Sequence, residues 1–307
     1  MRIIPFSYNF KIESVSEIGL GCVTFGREID KTQSFTMMDY ALDNGVNLFD
    51  TAPAYHNGAS ETIVGEWLAS RQPTNGKIIV ATKIGPPYVF GRINELVDQS
   101  LKRLRVDRID LLYFHSWDDS IFTDDALFTV DKLVKQGKIH KIGASNFSED
   151  QLRDALAIQQ YNGLSSFEYV QNNHNLAVSD LSKEFMQLCQ NNNIDIVTYS
   201  PLGAGFLTGK YDSGLVTGSR FDIIPGHQKI YFNEQAFRKL EMLRELSYST
   251  GFSTTHLALV WALHQPGIKS VLIGGRNITH LEQAFAAKQF YDQEIFADLN
   301  RVTRLIL

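Results

Sequence analysis

The chain has 307 residues, of which 44% are hydrophobic and 21% are charged, and its formal net charge is −5. This composition is typical of a globular protein with a large core, and the charge balance gives no indication of nucleic-acid binding, which needs a clustered basic face. The N-terminus lacks the apolar segment of a secretory signal and no apolar run is long enough to span a bilayer, so we expect a cytoplasmic protein without membrane contact.

Short apolar runs alternate along the chain with segments of helical periodicity. The predicted strands cover residues 18–22, 46–50, 78–83, 109–115, 139–144, 167–171, 194–199 and 270–273. The predicted helices cover residues 34–44, 60–70, 93–105, 124–136, 149–161, 180–192, 254–264, 279–288 and 292–306. Apolar strands that alternate with helices predict an α/β protein, a (β/α)8 TIM barrel formed by residues 1–307 as a single domain. The last of these helices is an extra C-terminal one, residues 3–15 are expected to form an N-terminal hairpin at the barrel bottom, and an open doubly wound sheet is the alternative fold.

The segment 200–231 follows the seventh predicted strand and contains no predicted strand or strong helix. Its glycines are Gly203, Gly205, Gly209, Gly214, Gly218 and Gly226. Loops of this length are uncommon inside compact domains and are often functional. In a barrel the segment lies on the C-terminal face, where barrel enzymes carry their active sites.

Polar residues lie at or just after the ends of three neighbouring predicted strands. Asp50 ends the second strand, and Tyr55 follows it by five residues. Lys83 ends the third strand, and His115 ends the fourth. In a barrel, all of these side chains project from the same rim.

These residue types suit proton donation to a carbonyl oxygen. A free tyrosine has a pKa of roughly 10, and a nearby ammonium lowers that pKa because it stabilises the phenolate. We therefore interpret Tyr55 as a general acid assisted by Lys83, with Asp50 holding the ammonium. His115 can hydrogen-bond and orient the carbonyl oxygen. Each residue also has a structural interpretation, as a buried ion pair, a core histidine or a loop aromatic.

These residues, together with several short motifs, resemble the aldo-keto reductase family. In that family an Asp-Tyr-Lys-His tetrad occurs in the same order, and the similarity extends from about residue 17 to residue 285. The motifs that carry it are Gly58-Ala-Ser60-Glu61, Gly143-Ala-Ser145-Asn146-Phe147, Tyr199-Ser-Pro-Leu-Gly203 and Leu207-Thr-Gly-Lys210-Tyr. The resemblance implies an NADP(H)-dependent oxidoreductase that moves a hydride between the cofactor and a carbonyl carbon.

The resemblance also implies which residues bind the cofactor. Ser145, Asn146 and Gln171 are expected to hydrogen-bond the nicotinamide carboxamide, and Tyr199 is expected to stack on the nicotinamide ring. A second group is expected to run along the pyrophosphate, where backbone N–H groups can approach it, and consists of Ser200, Leu202, Gly203 and Gly205. A flexible loop that happens to be rich in glycine is the alternative interpretation of this second group.

A basic residue follows the eighth predicted strand, in the run Ile273-Gly-Gly-Arg276-Asn277. In the family this run contacts the ribose 2′-phosphate, which assigns Gly274 and Arg276 to cofactor binding. Arginine can bind phosphate through two parallel hydrogen bonds, so the resemblance implies a preference for NADPH over NADH. A solvated arginine is the alternative.

Two departures from the family's pattern affect cofactor affinity more than the type of reaction. The adenosine-binding run Gln-Leu-x-Glu-Asn of many relatives is His280-Leu-Glu-Gln283-Ala284 here, so Gln283 replaces a carboxylate. The usual Tyr-Asn after the sixth strand is His174-Asn175.

No metal site is predicted from the sequence. Cys22 and Cys189 are far apart, no cluster of histidines and cysteines has the spacing of metal ligands, and the bland interpretation of both cysteines is a reduced core thiol.

Several aromatic residues near the rim are candidate walls of the substrate pocket, because ligand pockets are mostly apolar. They are Phe25, Tyr88, Phe90 and Trp117. Packing between barrel and helices is the alternative for each, and both sugars and aromatic aldehydes suit such walls. The main hypothesis is therefore an enzyme acting on a small-molecule carbonyl compound or sugar. A second hypothesis is a cofactor-sensing binding module similar to potassium-channel β subunits, and a third is an inert barrel, against which the complete tetrad argues.

Overall fold

A computed structural model describes residues 14–71, 78–89, 91–123, 126–179, 181–211 and 214–304. Eight parallel strands, β1 to β8, form a closed barrel in chain order, and β8 pairs with β1. The predicted (β/α)8 TIM barrel is therefore confirmed, and the closed sheet excludes the open doubly wound alternative. The predicted N-terminal hairpin lies almost wholly outside the described residues.

The strands agree with their predicted positions to within about two residues at each end. They are β1 (Ile18–Gly21), β2 (Leu48–Asp50), β3 (Ile79–Ile84), β4 (Ile109–Phe114), β5 (Ile139–Ser145), β6 (Tyr169–Asn173), β7 (Asp195–Tyr199) and β8 (Ile268–Gly274). Each strand presents mostly buried residues on both faces, as expected for a parallel sheet that is covered by helices outside and filled with side chains inside.

Helices follow the strands around the barrel. They are α1 (Lys31–Asp43), α2 (Ala59–Arg71), α3 (Arg92–Leu104), α4 (Ser120–Thr123), α5 (Ala126–Lys135), α6 (Glu149–Asn162), α7 (Lys183–Asn191), α8 (Arg220–Ile223), α9 (Gln228–Tyr231), α10 (Glu234–Thr250), α11 (Thr254–Leu263), α12 (Ile278–Gln289) and α13 (Gln293–Thr303). The extra C-terminal helix was predicted and is α13. None of the described helices combines the length and the hydrophobicity that a bilayer crossing requires.

Helix α10 was not predicted and is the largest difference from the expected element order. Its N-cap is Asn233, whose side chain accepts a hydrogen bond from the amide of Ala236, and its C-cap is Gly251 at φ 75°. It buries Lys239 and Leu240 among other residues, so a lysine lies on its inner face. Its buried residues are Ala236, Lys239, Leu240 and Leu243, which have the i, i+3, i+4, i+7 spacing of a helix, and that spacing is the signal that could have found it. The lysine interrupts the apolar pattern at one of these positions.

The hydrophobic core has two layers. The outer layer fills the space between the barrel and the helices and contains most of the buried apolar residues. The inner layer fills the barrel itself and consists of Val15, Leu48, Ile79, Ala81, Leu111, Tyr113, Tyr169, Val197 and Leu272. Side chains alternate across a strand, so the inner layer fixes which residues of each strand face the barrel axis.

Candidate active site

The alternation of the barrel strands brings the predicted tetrad to one rim. Residues two positions apart on a strand point to the same side. A residue two positions after an inner-layer residue on β2, β3 or β4 therefore also faces the inside of the barrel. The pairs are Leu48 and Asp50, Ala81 and Lys83, and Tyr113 and His115. At the carboxyl end of each of these strands, a polar side chain thus follows the apolar side chains that face the barrel axis, and the polar side chains of neighbouring strands meet there.

The ammonium of Lys83 is buried, and each of its three N–H groups has an acceptor. It donates to Asp50 Oδ1 at 2.6 Å, to the Thr51 carbonyl oxygen at 2.9 Å and to the Tyr55 hydroxyl oxygen at 3.0 Å. Burial lowers the pKa of Lys83, but the Asp50 carboxylate and the Tyr55 oxygen outweigh it, and the pKa lies above its ordinary value. The lysine is therefore a fixed positive charge.

Tyr55 lies on the short connection between β2 and α2, with its ring beneath the Lys83 ammonium at 4.7 Å. Its oxygen accepts a hydrogen bond from Lys83, so its own hydrogen is left to be donated elsewhere. Burial raises the pKa of Tyr55 above its ordinary value, although the Lys83 charge acts in the opposite direction. Lys83 therefore acts on this pKa in the predicted direction, but burial has the larger effect, which was not predicted, and the phenol is protonated at neutral pH.

His115 completes the tetrad. Its ring packs edge-on against Tyr55, with 6.1 Å between ring centroids. Burial, reinforced by the charge of Lys83, lowers the pKa of His115 to about 3. The imidazole is therefore neutral at physiological pH and carries a single N–H donor.

A chain of hydrogen bonds joins the residues predicted to hold the nicotinamide carboxamide. Tyr199 donates to Asn146 Oδ1 at 2.6 Å, and Asn146 Nδ2 donates to Ser145 Oγ at 3.1 Å. Ser145 Oγ donates to the Gln171 carbonyl oxygen at 2.9 Å. The side-chain amide of Gln171 donates to Asp50 Oδ2 at 2.7 Å, so this group of residues is connected directly to the tetrad.

The segment after β7 turns sharply away from the barrel. Ser200, Gly203, Ala204 and Gly205 all have φ between 56° and 90°, and Leu202 lies half-buried among them. A Cβ on Gly203 would lie 2.9 Å from the ring of Tyr231, so only glycine fits at position 203 without a shift. Backbone N–H groups in such conformations form concave sites for anions.

Cationic side chains surround the outer end of this turn. A Cβ on Gly205 would lie 2.6 Å from Lys210 Nζ, so the ammonium lies directly beside Gly205. Arg276 Nη2 donates to the Gly218 carbonyl oxygen at 2.8 Å. Burial, together with the charges of Lys210 and Arg276, lowers the pKa of His280. Lys210 was not predicted as a site residue, and its position directly after the glycine-rich turn is the signal that could have found it.

The other residues predicted around the adenosine end are exposed. Gly274 is the last residue of β8, and Gln283 lies on the outer surface of α12. Neighbouring Ala284 is fully buried in the core, so it presents no polar group to a ligand.

The predicted substrate walls differ in their accessibility. Phe25 and Tyr88 have no exposed surface, and the Tyr88 hydroxyl donates to the Ser116 carbonyl oxygen at 2.6 Å. Both residues therefore pack in the core in this structure, as in the alternative interpretation. Trp117 is half-buried and stands beside the exposed ring of Phe122, with 4.8 Å between centroids. Phe90 lies outside the described residues.

The arrangement combines an acid, a fixed cation and a row of polar side chains along one rim of the barrel. The phenol beside Lys83 can give up and recover a proton. The amides and hydroxyls at the ends of β5 to β7 can hold a flat carboxamide. The left-handed turn after β7, with Lys210 and Arg276 beyond it, fits phosphate groups. The rim therefore offers donors and acceptors for a flat amide and, next to them, donors for phosphate groups.

Comparisons with known proteins match the chain to one family. The model of the Aldo/keto reductase family matches residues 17–303. "Uncharacterized oxidoreductase YrpG" of Bacillus subtilis is 30% identical over 94% of this chain and 92% of its own length. "Probable aldo-keto reductase 1" of Glycine max is 31% identical over 93% of this chain and 84% of its length. "Probable voltage-gated potassium channel subunit beta" of Arabidopsis thaliana is 28% identical over 89% of this chain and 87% of its own length.

Proposed function

Since this chain belongs to the aldo/keto reductase family of oxidoreductases, we propose that it reduces an aldehyde or ketone to an alcohol with NADPH, or runs the reverse oxidation of an alcohol or aldose. The observation that carries the proposal is the 3.0 Å hydrogen bond from the Lys83 ammonium to the Tyr55 hydroxyl oxygen. A phenol held in this way is an acid whose conjugate base is stabilised at the moment it forms.

In the proposed reduction, Tyr55 donates its hydroxyl proton to the oxygen of the substrate carbonyl. When bound, reduced nicotinamide supplies the hydride that the carbonyl carbon needs. Lys83 stays charged and stabilises the phenolate, while Asp50 balances that charge. His115 is neutral, so it donates an N–H to the same carbonyl oxygen and orients it without competing as an acid. In the reverse direction the Tyr55 phenolate accepts the proton of the alcohol.

The residues that would hold the cofactor lie at the ends of β5 to β7 and in the turn after β7. Ser145, Asn146 and Gln171 would hold the carboxamide, and Tyr199 would cover one face of the nicotinamide ring. The turn after β7 would hold the pyrophosphate through Ser200, Leu202, Gly203 and Gly205. Lys210 joins this group because its ammonium lies directly beside Gly205.

The proposed preference for NADPH over NADH rests on the residues at the end of β8 and after it. Gly274, Arg276 and Gln283 would bind the phosphorylated ribose and the adenosine. Arg276 lies beside His280, whose depressed pKa keeps its ring neutral, so the guanidinium is the stronger phosphate ligand of the two. Among the predicted walls, Trp117 keeps its role in the proposal, with a small-molecule carbonyl compound or sugar as the substrate.

The test compares wild type with Tyr55→Phe, following NADPH consumption by absorbance with a panel of aromatic aldehydes, dicarbonyls and sugars. We expect turnover by the wild type and a loss of at least about 100-fold in Tyr55→Phe, the usual range for removal of a general acid. Equal rates in both proteins would disprove the assignment of Tyr55.

A second candidate function is a cofactor-sensing binding module. The similarity to the Arabidopsis thaliana potassium-channel β subunit over most of both chains is the observation that favours it. If wild type binds NADPH tightly and turns over no member of the panel, this second function becomes the better explanation.

A further inference from the structure

Glu61 is a carboxylate with no exposed surface in the first turn of α2, behind the tetrad. Thr82 donates its hydroxyl to Glu61 Oε1 at 2.7 Å, and Arg103 Nε donates to Glu61 Oε2 at 2.6 Å. A buried carboxylate is costly unless it is paired and hydrogen-bonded. Both Glu61 oxygens therefore accept hydrogen bonds, one from strand β3 and one from helix α3.

The contact with β3 is made next to the tetrad lysine. Thr82 is followed by Lys83, and successive side chains on a strand point to opposite faces. Lys83 therefore projects into the barrel toward Asp50, while Thr82 projects outward to Glu61. A shift of the Thr82 backbone moves Lys83 with it.

The contact with α3 leads back to the tetrad tyrosine. Tyr55 is followed by His56, Asn57 and Gly58, which all have left-handed backbone conformations. A Cβ on Gly58 would lie 2.7 Å from both Cδ and Nε of Arg103, so the arginine side chain lies directly over this turn. The same arginine that pairs with Glu61 thus covers the loop that carries Tyr55.

A neighbouring residue secures the same turn of α2. Ser60 donates its hydroxyl to the Cys22 carbonyl oxygen at 2.8 Å and lies 2.7 Å from the hydroxyl of Thr51. The carbonyl of Thr51 in turn accepts a hydrogen bond from Lys83. The first turn of α2 is therefore connected to the Lys83 ammonium from two sides.

We propose that Glu61 is a positioning residue, which through Thr82 and Arg103 fixes the distance between the Tyr55 hydroxyl and the Lys83 ammonium. The inference rests on the proposed function for its catalytic meaning. The contact between Tyr55 and Lys83 can nevertheless be measured without any substrate.

The experiment uses the full chain with Thr82→Val, which keeps the shape of the side chain and removes its hydroxyl. Thr82→Ser is the rescue variant, and Glu66→Gln is the matched control. Glu66 lies on the same helix and pairs with Lys31 and with Arg105 beyond the end of α3, and among the described residues it forms no ion pair with β3 or the Tyr55 loop. The readouts are the ¹³Cζ resonance of Tyr55, assigned by its absence in Tyr55→Phe, and kcat, KM and NADPH affinity.

We expect Thr82→Val to shift the Tyr55 resonance and to lower kcat by about 10-fold, because small misplacements of a catalytic group are costly. NADPH affinity should stay within about 2-fold of the wild type, and the pH at which kcat falls should rise as the ammonium moves away. Thr82→Ser should restore the resonance and kcat, and Glu66→Gln should match the wild type.

An unchanged Tyr55 resonance in Thr82→Val overturns the proposal, whatever happens to thermal stability. If Thr82→Val does not fold, Glu61→Gln tests the other contact of Glu61, since it keeps an oxygen acceptor for Thr82 and removes the charge that pairs with Arg103. An unchanged Tyr55 resonance in Glu61→Gln equally overturns the proposal. A resonance that moves in Thr82→Val but not in Glu66→Gln, in a protein that reduces no carbonyl compound, supports the positioning role and refutes the proposed reaction.

Discussion

The buried ion pair between Asp50 and Lys83 is predicted to be the most sensitive charged contact in the tetrad. The perturbation is Asp50→Asn, which keeps the volume of the side chain and one oxygen acceptor. The matched control is Asp98→Asn. Asp98 pairs with Lys138 at the same 2.6 Å separation, but these side chains are 56% and 39% exposed, against 2% and 1% for Asp50 and Lys83.

The two pairs differ in the medium between the charges. At 2.6 Å, Coulomb's law gives an attraction of about 6 kcal/mol at an effective dielectric constant of about 20, and of about 1.6 kcal/mol in bulk water. Desolvation offsets much of the larger value in the folded protein, but Asp50→Asn leaves the Lys83 ammonium buried without a counter-ion. We therefore expect a loss of about 3–5 kcal/mol for Asp50→Asn and of about 0–1 kcal/mol for Asp98→Asn.

Urea unfolding of both variants at constant pH measures the two losses against the wild type. In Asp50→Asn the folded protein favours a neutral Lys83, so its pKa falls below the unfolded value. The unfolded state then binds more protons, and the variant's stability should rise between pH 7 and pH 10. Equal losses in the two variants, or a loss for Asp50→Asn that does not shrink with pH, would refute the burial argument.

Three further outcomes follow from particular contacts. Burial lowers the pKa of His174 to about 4, so below about pH 6.5 the unfolded state takes up a proton at this residue and the folded state does not. Between pH 7 and pH 5 the wild type should therefore lose about 2 kcal/mol of stability that His174→Phe does not lose, as measured by urea unfolding. Arg276→Met should weaken NADPH binding by about 10- to 100-fold and leave NADH binding unchanged, by fluorescence titration, as expected for loss of a charge-assisted hydrogen bond to phosphate. Gly203→Ala should destabilise the protein more than Gly214→Ala, because both have positive φ but only Gly203 faces a side chain, Tyr231; equal thermal midpoints would contradict this.

The barrel and the tetrad could be predicted from the sequence for one physical reason. Both depend on local patterns, namely apolar runs of strand length and a polar residue where each run ends. Asp50, Lys83 and His115 are placed by the alternation of their own strands, so their convergence needs only the pairing of β2 with β3 and of β3 with β4. Consecutive strands of a chain usually lie next to each other, so the chain order predicts this pairing.

Features that depend on packing between distant segments could not be predicted in this way. The burial of Phe25 and Tyr88 depends on contacts with other segments, such as that of the Tyr88 ring with Phe114 of β4, and residue type alone does not encode it. The net rise in the pKa of Tyr55 depends on how much water the surrounding segments exclude, which outweighs the charge of Lys83. Glu61 looked like part of a motif, and its two partners come from β3 and α3.

The pairing of neighbouring strands makes the tetrad a reporter of correct folding. Lys83 pairs with Tyr113 across β3 and β4, and Asp50 pairs with Ala81 across β2 and β3. A slip of β3 by one residue turns Lys83 toward the helices, and a slip by two residues carries it about 6.6 Å along the barrel, away from Tyr55. Only one register therefore joins Lys83 to both Asp50 and Tyr55. During refolding, recovery of that contact measures the fraction of molecules whose strands have paired in native register, separately from the recovery of helix and strand content.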